Sequence, residues 1–202
     1  MIGFYNYTVV LTYFSLYISI IGIIFSITGN IGLGLICLII SGVCDMFDGK
    51  IASTRERTPE EKRFGIQIDS LSDLVCFAIL PAIICYELGT KGITTYFVVP
   101  IYILAGLIRL AYFNVIEELS PSEKYGNKTF IGLPITTIAG IFPLVYCLNI
   151  GNFKFIYPFL LSLMSIAFLL PFKIKKPKSK IMYTMASILC VEFLFLLKQV
   201  IL

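Results

Sequence analysis

The chain has 202 residues, of which 58% are hydrophobic and only 14% charged, and its mean hydropathy is +0.92. That balance excludes an ordinary water-soluble domain and points to a single integral membrane domain over residues 1–202. The formal charge of +4 calls for no nucleic acid partner, because the lysines flank apolar runs where anionic headgroups of membrane lipids attract each by about 1 kcal/mol.

A hydrocarbon core about 30 Å thick takes about 20 apolar helical residues to cross. In chain order, the sequence predicts spans at residues 8–27, 31–51, 66–88, 93–116, 131–150, 155–172 and 181–202. The expected fold class is all-α, a polytopic membrane helical bundle. The first run has neither a basic lead-in nor a small-residue cleavage site, and a second run follows almost at once, so it is expected to remain as a span.

Basic residues set the expected orientation. Lys50, Arg55, Arg57, Lys62 and Arg63 flank the second connection, Lys124 and Lys128 sit in the fourth, and Lys173, Lys175, Lys176, Lys178 and Lys180 fill the sixth. The other side carries little beyond Lys91 and Lys154. Since Lys and Arg concentrate in cytoplasmic loops, the N-terminus and these three connections are assigned to the cytoplasm, and the odd number of spans puts Leu202 outside. The expected location is the cell membrane, multi-pass.

Cys37, Cys44, Cys76, Cys85, Cys147 and Cys190 all fall inside apolar runs without paired ligand spacing, so they read as packing residues rather than as disulfides or a metal site. The chain has no histidine, which removes the commonest general base and a common zinc ligand. Proton transfer would then fall to carboxylates.

Four of the 12 acidic residues lie close together in sequence: Asp45 and Asp48 near the end of the second span, and Asp69 and Asp73 near the start of the third. Spacings of three and four put each pair on one helix face. The connection between the spans is short enough for an antiparallel hairpin, so the two pairs are expected to converge at one membrane depth. Four carboxylates there repel and are costly to bury, so in ionised form they require a cation. Oxygen-only ligands favour a hard ion, Mg2+ or Mn2+, with room for two. The alternative is a set of helix-end acids facing water. Gly49, Ala52 and Gly65 beside them leave a side-chain-poor groove for a ligand, or else allow two helices to pack closely.

The stretch from Asp45 through Asp48, Gly49 and Ala52, followed by Gly65, Asp69 and Asp73, resembles the signature of the CDP-alcohol phosphatidyltransferases, D-x-x-D-G-x-x-A-R, a spacer, then G-x-x-x-D-x-x-x-D. One position departs: the family places arginine after the alanine, where this chain has Ser53. Arg55, Lys62 or Arg63 is expected to supply the missing charge. Phe64-Gly65, Asp69-Ser70-Leu71 and residues 77–81, together with Arg109-Leu-Ala-Tyr-Phe-Asn114 and Phe130-Ile-Gly-Leu-Pro134, are similar to the phosphatidylserine synthase branch. The resemblance covers about residues 31–134, taken as the catalytic core.

What the resemblance implies is a six-helix family core, here with a seventh C-terminal span, acting as a homodimer on CDP-diacylglycerol and L-serine to give phosphatidylserine and CMP. It makes Asp45, Asp48 and Asp69 metal ligands and Asp73 both ligand and base, with Gly49, Ala52, Arg55 and Gly65 on the CDP-lipid side. Arg109, an intramembrane cation near the same interface, would bind the serine carboxylate, engage the diphosphate, or anchor the helix; Asn114 would add contacts to the acceptor. Glu192 and Lys198 in the last span are left outside the site, with Glu192 expected to be protonated or hydrogen bonded to another helix. Glycerol 3-phosphate and inositol phosphate are the competing acceptors, and an ion transporter is the competing class.

Overall fold

The computed structural model describes residues 3–119, 129–148, 154–171, 173–175 and 179–201. Within them the chain forms α1 (Val10–Ile27), α2 (Ile31–Ala52), α3 (Pro59–Leu88), α4 (Ile93–Leu119), α5 (Ile138–Cys147), α6 (Ile156–Leu169) and α7 (Ser179–Ile201). Two short strands, β1 (Thr129–Ile131) and β2 (Lys173–Lys175), complete the described elements.

The first four helices, counting a short turn at Tyr7–Val9 with α1, are long and apolar enough to cross a membrane. Their surface is inverted relative to a soluble bundle. On α1 the buried face is Thr12, Ser15, Ser19, Gly22 and Ser26, while Phe14, Tyr17, Ile20 and Ile24 are exposed. Lipid tails are as apolar as these side chains, so the close fit must come from small residues and from hydrogen bonds between helices. Ser19 and Ser41 share a hydroxyl contact of 2.7 Å, Ser41 Oγ donates to the Ser15 carbonyl at 3.1 Å, and Ser72 Oγ donates to the Thr12 carbonyl at 3.3 Å. A Cβ added to Gly22 would stand 2.7 Å from that of Cys37, and one on Gly42 would stand 2.6 Å from that of Ala139. These glycines are where α1, α2 and α5 touch.

The apolar core lies between α2, α3, α4, α5 and α6, around Leu35, Phe77, Tyr102, Phe142 and Leu161. Inside α3, residues Leu74–Ile79 form a π-helical segment starting directly after Asp73. All six cysteines are free, four of them buried.

Two expected spans come out shorter. Among the described residues, the run predicted at 131–150 is helical over Ile135–Cys147, and that predicted at 155–172 over Ile156–Leu169. The cause in the first is local: residues 129–131 are a strand, Gly132 turns the chain at φ +78° and Pro134 stands in extended backbone. Strand β1 pairs antiparallel with β2, Phe130 opposite Ile174, which ties the fourth connection to the sixth on one side of the bundle. Lys124, Lys128, Lys176, Lys178 and Leu202 lie outside the described residues.

Candidate active site

Helix α3 starts where its sequence permits. Thr58 accepts from the Glu61 N–H at 3.2 Å, Glu61 accepts from the Thr58 N–H at 3.0 Å, and Pro59 occupies the first turn. This reciprocal cap satisfies two N–H groups that a helix start leaves unpaired. It also sets the phase of α3, and hence the face on which Asp69 and Asp73 stand.

That face meets the end of α2. Ligand oxygens of Asp45, Asp48 and Asp69 lie within 4.8 Å of one another, all three residues half-buried. Asp73 is not one of the three whose oxygens converge, but its carboxyl faces that of Asp45. The hairpin of α2 and α3 thus brings both sequence-predicted pairs together at one end of the bundle. The acids gather at this end rather than spreading through the membrane depth as an ion path would require. As an all-oxygen set with each carboxylate close to another, they fit one or two hard divalent cations, whose remaining coordination positions are filled by water and phosphate oxygens.

The glycines beside the cluster differ from those in the core. A Cβ on Gly49 would meet nothing within 4 Å, and one on Gly65 would meet Arg57 Nη1 at 3.1 Å. Neither glycine is needed for helix packing. Gly49 borders open space, half-buried Ala52 follows it on α2, and Gly65 is covered only by the end of the Arg57 side chain.

The remaining predicted residues fall on two sides. Arg55 is exposed and paired with Glu61 at 3.6 Å, an interaction worth about 0–1 kcal/mol at a surface. Asn114 accepts from Ser70 Oγ at 2.8 Å, which holds α4 against α3 next to Asp69. Arg109 is buried at 7% exposure. Its Nε donates to the Leu133 carbonyl at 3.2 Å and its guanidinium stands 5.9 Å from the Phe113 ring centre. Arg109 therefore fastens the turn at Gly132 to α4. Glu192 is buried, and neither carboxyl oxygen has a hydrogen-bond partner among the described residues, so the expected bond to another helix is not found there.

Sequence reasoning did not anticipate the segment ahead of α1. Asn6 Nδ2 donates to Glu61 at 3.3 Å, the hydroxyls of Tyr7 and Thr54 meet at 3.0 Å, and the Phe4 and Phe64 rings pack edge to face at 5.6 Å. The segment straps down the connection between α2 and α3. Nothing in its local pattern signals this, since each partner lies some 50 residues away.

Residues 5–173 match the model of a family described as CDP-alcohol phosphatidyltransferase. The chain is 36% identical over 117 residues to the CDP-diacylglycerol–serine O-phosphatidyltransferase of Saccharomyces cerevisiae, covering 56% of this chain and 41% of that protein. It is 32% identical to the archaetidylserine synthase of Methanothermobacter thermautotrophicus over 59% of this chain and 48% of that one. With the CDP-diacylglycerol–serine O-phosphatidyltransferase of Methanocaldococcus jannaschii it shares 31% identity over 152 residues, 75% of this chain and 68% of the relative. The chain thus spans less than half the length of the first two relatives and about two thirds of the third.

Proposed function

Because the chain belongs to the CDP-alcohol phosphatidyltransferase family, we propose that it transfers the phosphatidyl group of CDP-diacylglycerol to L-serine, giving phosphatidylserine and CMP. The observation that carries this reading is the convergence of Asp45, Asp48 and Asp69 within 4.8 Å, with Asp73 facing Asp45 and the uncrowded Gly49 alongside. The serine-specific names of the relatives support the acceptor.

In this reading the acyl chains stay in the bilayer while the diphosphate lies over the carboxylates. Mg2+ or Mn2+ held by Asp45, Asp48, Asp69 and Asp73 would neutralise the phosphate oxygens. Gly49, Ala52 and Gly65 leave room for the cytidine side. Asp73 accepts the proton of the serine hydroxyl as its oxygen bonds to the lipid-linked phosphorus, and the bond from that phosphorus to the CMP oxygen breaks. Asn114, bonded to Ser70 beside Asp69, borders the acceptor. Arg109 offers the serine carboxylate a planar fork of donors.

The same reading makes residues 1–202 one membrane domain with its catalytic core at about 31–134. It sits in the cell membrane as a homodimer, with the site facing the cytoplasm. Pairing of the fourth connection with the sixth supports that orientation, since both carry lysines. The test supplies CDP-diacylglycerol, Mg2+ or Mn2+, and serine, glycerol 3-phosphate or inositol phosphate in turn, and follows CMP release. Release with serine is expected. Release only with a phosphorylated acceptor would overturn serine, and release with none would overturn the transferase reading.

A further inference from the structure

The family motif has an arginine where this chain has Ser53, and the nearby side chains differ in how they are placed to take over its charge. Ser53 cannot: its hydroxyl donates to the Lys50 carbonyl at 2.7 Å and it carries no charge. Arg55 is drawn toward Glu61 at 3.6 Å, a carboxylate already bonded to Thr58 and Asn6. Arg57 also lies within electrostatic range of Glu61, but its guanidinium reaches a different place. It is half-buried, and its Nη1 would lie 3.1 Å from a Cβ on Gly65, so the guanidinium lies across the one position on that turn with no side chain.

Gly65, Asp69 and Asp73 follow one another at steps of four, so a single face of α3 carries the covered glycine and then both carboxylates. At 1.5 Å per residue Gly65, which the guanidinium covers, stands about 6 Å along the helix from Asp69. An anionic ligand bridging the two would have carboxylate-held cations at one end and a planar, permanently charged fork at the other. We propose that Arg57 supplies the cation missing at position 53 and grips the diphosphate of the CDP-lipid over Gly65. This rests on the reading of the chain as a CDP-lipid transferase.

Two features of the fold agree. The connection that carries Arg57 is held on both sides, by the Thr58 cap and by Tyr7 on Thr54, so less ordering is left to occur on binding. Gly65 also gains a reason to be glycine that helix packing does not give it, because a Cβ there would crowd the guanidinium at 3.1 Å.

The experiment compares the full chain with R57A and with R57A carrying S53R. The readouts are the KM for CDP-diacylglycerol, the KM for serine, and equilibrium binding of CDP-diacylglycerol without acceptor. R57A should raise the CDP-diacylglycerol KM and dissociation constant about 10-fold or more, the scale of a lost charged hydrogen bond. The serine KM and the unfolding midpoint should hold. S53R should restore most of the loss by returning the cation from a different backbone position, which a purely structural role of Arg57 does not allow. Unchanged lipid binding in R57A, or a loss that S53R leaves in place, would overturn the assignment. Failure of the transferase reading is separable, since it appears as absent CMP release by the unaltered chain, while the binding comparison still decides on Arg57.

Discussion

The Tyr102 hydroxyl donates to the Phe77 carbonyl at 2.7 Å across the gap between α4 and α3. That carbonyl needs a partner for a reason visible in the sequence: four residues on, where an α-helix would supply the N–H, stands Pro81. The backbone widens here, with the Leu80 N–H bonding back to the Val75 carbonyl, and the π segment so formed begins directly after Asp73. Tyr102 thus holds in place the stretch that directly follows the fourth carboxylate. Tyr102→Phe should lower stability by about 1–3 kcal/mol, the cost of a buried carbonyl left unpaired. Its unfolding midpoint in detergent checks this.

Glycines that serve packing and glycines that serve a ligand should separate cleanly. Gly42→Ala places a methyl 2.6 Å from Ala139 Cβ and should cost about 1–3 kcal/mol through overpacking. Gly49→Ala meets nothing within 4 Å, so the unfolding midpoint should hold or rise while the KM for CDP-diacylglycerol increases. Thermal unfolding and kinetics on the same two variants check the contrast. A destabilised G49A would return that glycine to a packing role.

The split between Asp73 and Asp48 tests the division of labour in the cluster. Asp73→Asn should keep metal and CDP-lipid binding while CMP release falls about 10²-fold or more, the usual scale of general base catalysis. Asp48→Asn should instead weaken metal binding. If higher metal concentration restores D73N, Asp73 is a ligand and not the base.

How much of this could be read from the sequence follows from the range of each signal. The helices were legible as long apolar runs, and the aspartate pairs as spacings of three and four on neighbouring helices, because both signals are local. The π segment was not, since it depends on Pro81 and a tyrosine one helix away. The strands at Thr129–Ile131 and Lys173–Lys175 are only three residues each and stabilise each other across more than 40 residues of chain, so neither has a pattern of its own. Residues 131–134 read as part of a span because Ile, Leu and Pro are apolar, although Gly132 at φ +78° ends helical geometry there. Arg109 was legible as a buried cation, but not the Leu133 carbonyl it holds.

Glu192 gives a prediction independent of the site. Its two oxygens have no hydrogen-bond partner among the described residues and it is 5% exposed. Glu192→Leu should therefore raise stability by about 1–3 kcal/mol through removal of an unpaired polar group, with CMP release unchanged. Thermal unfolding of E192L checks it, and a fall in the midpoint would reveal a partner for the carboxyl.

The most direct measurement gives the purified chain CDP-diacylglycerol, isotopically labelled serine and Mg2+ or Mn2+, then follows lipid product and nucleotide together by mass spectrometry. The account predicts labelled phosphatidylserine and CMP in equal amounts, both abolished by excess chelator and both restored by added Mg2+ or Mn2+. Turnover that persists in chelator would contradict the carboxylate cluster's role, and CMP release without label in the lipid would contradict transfer to serine.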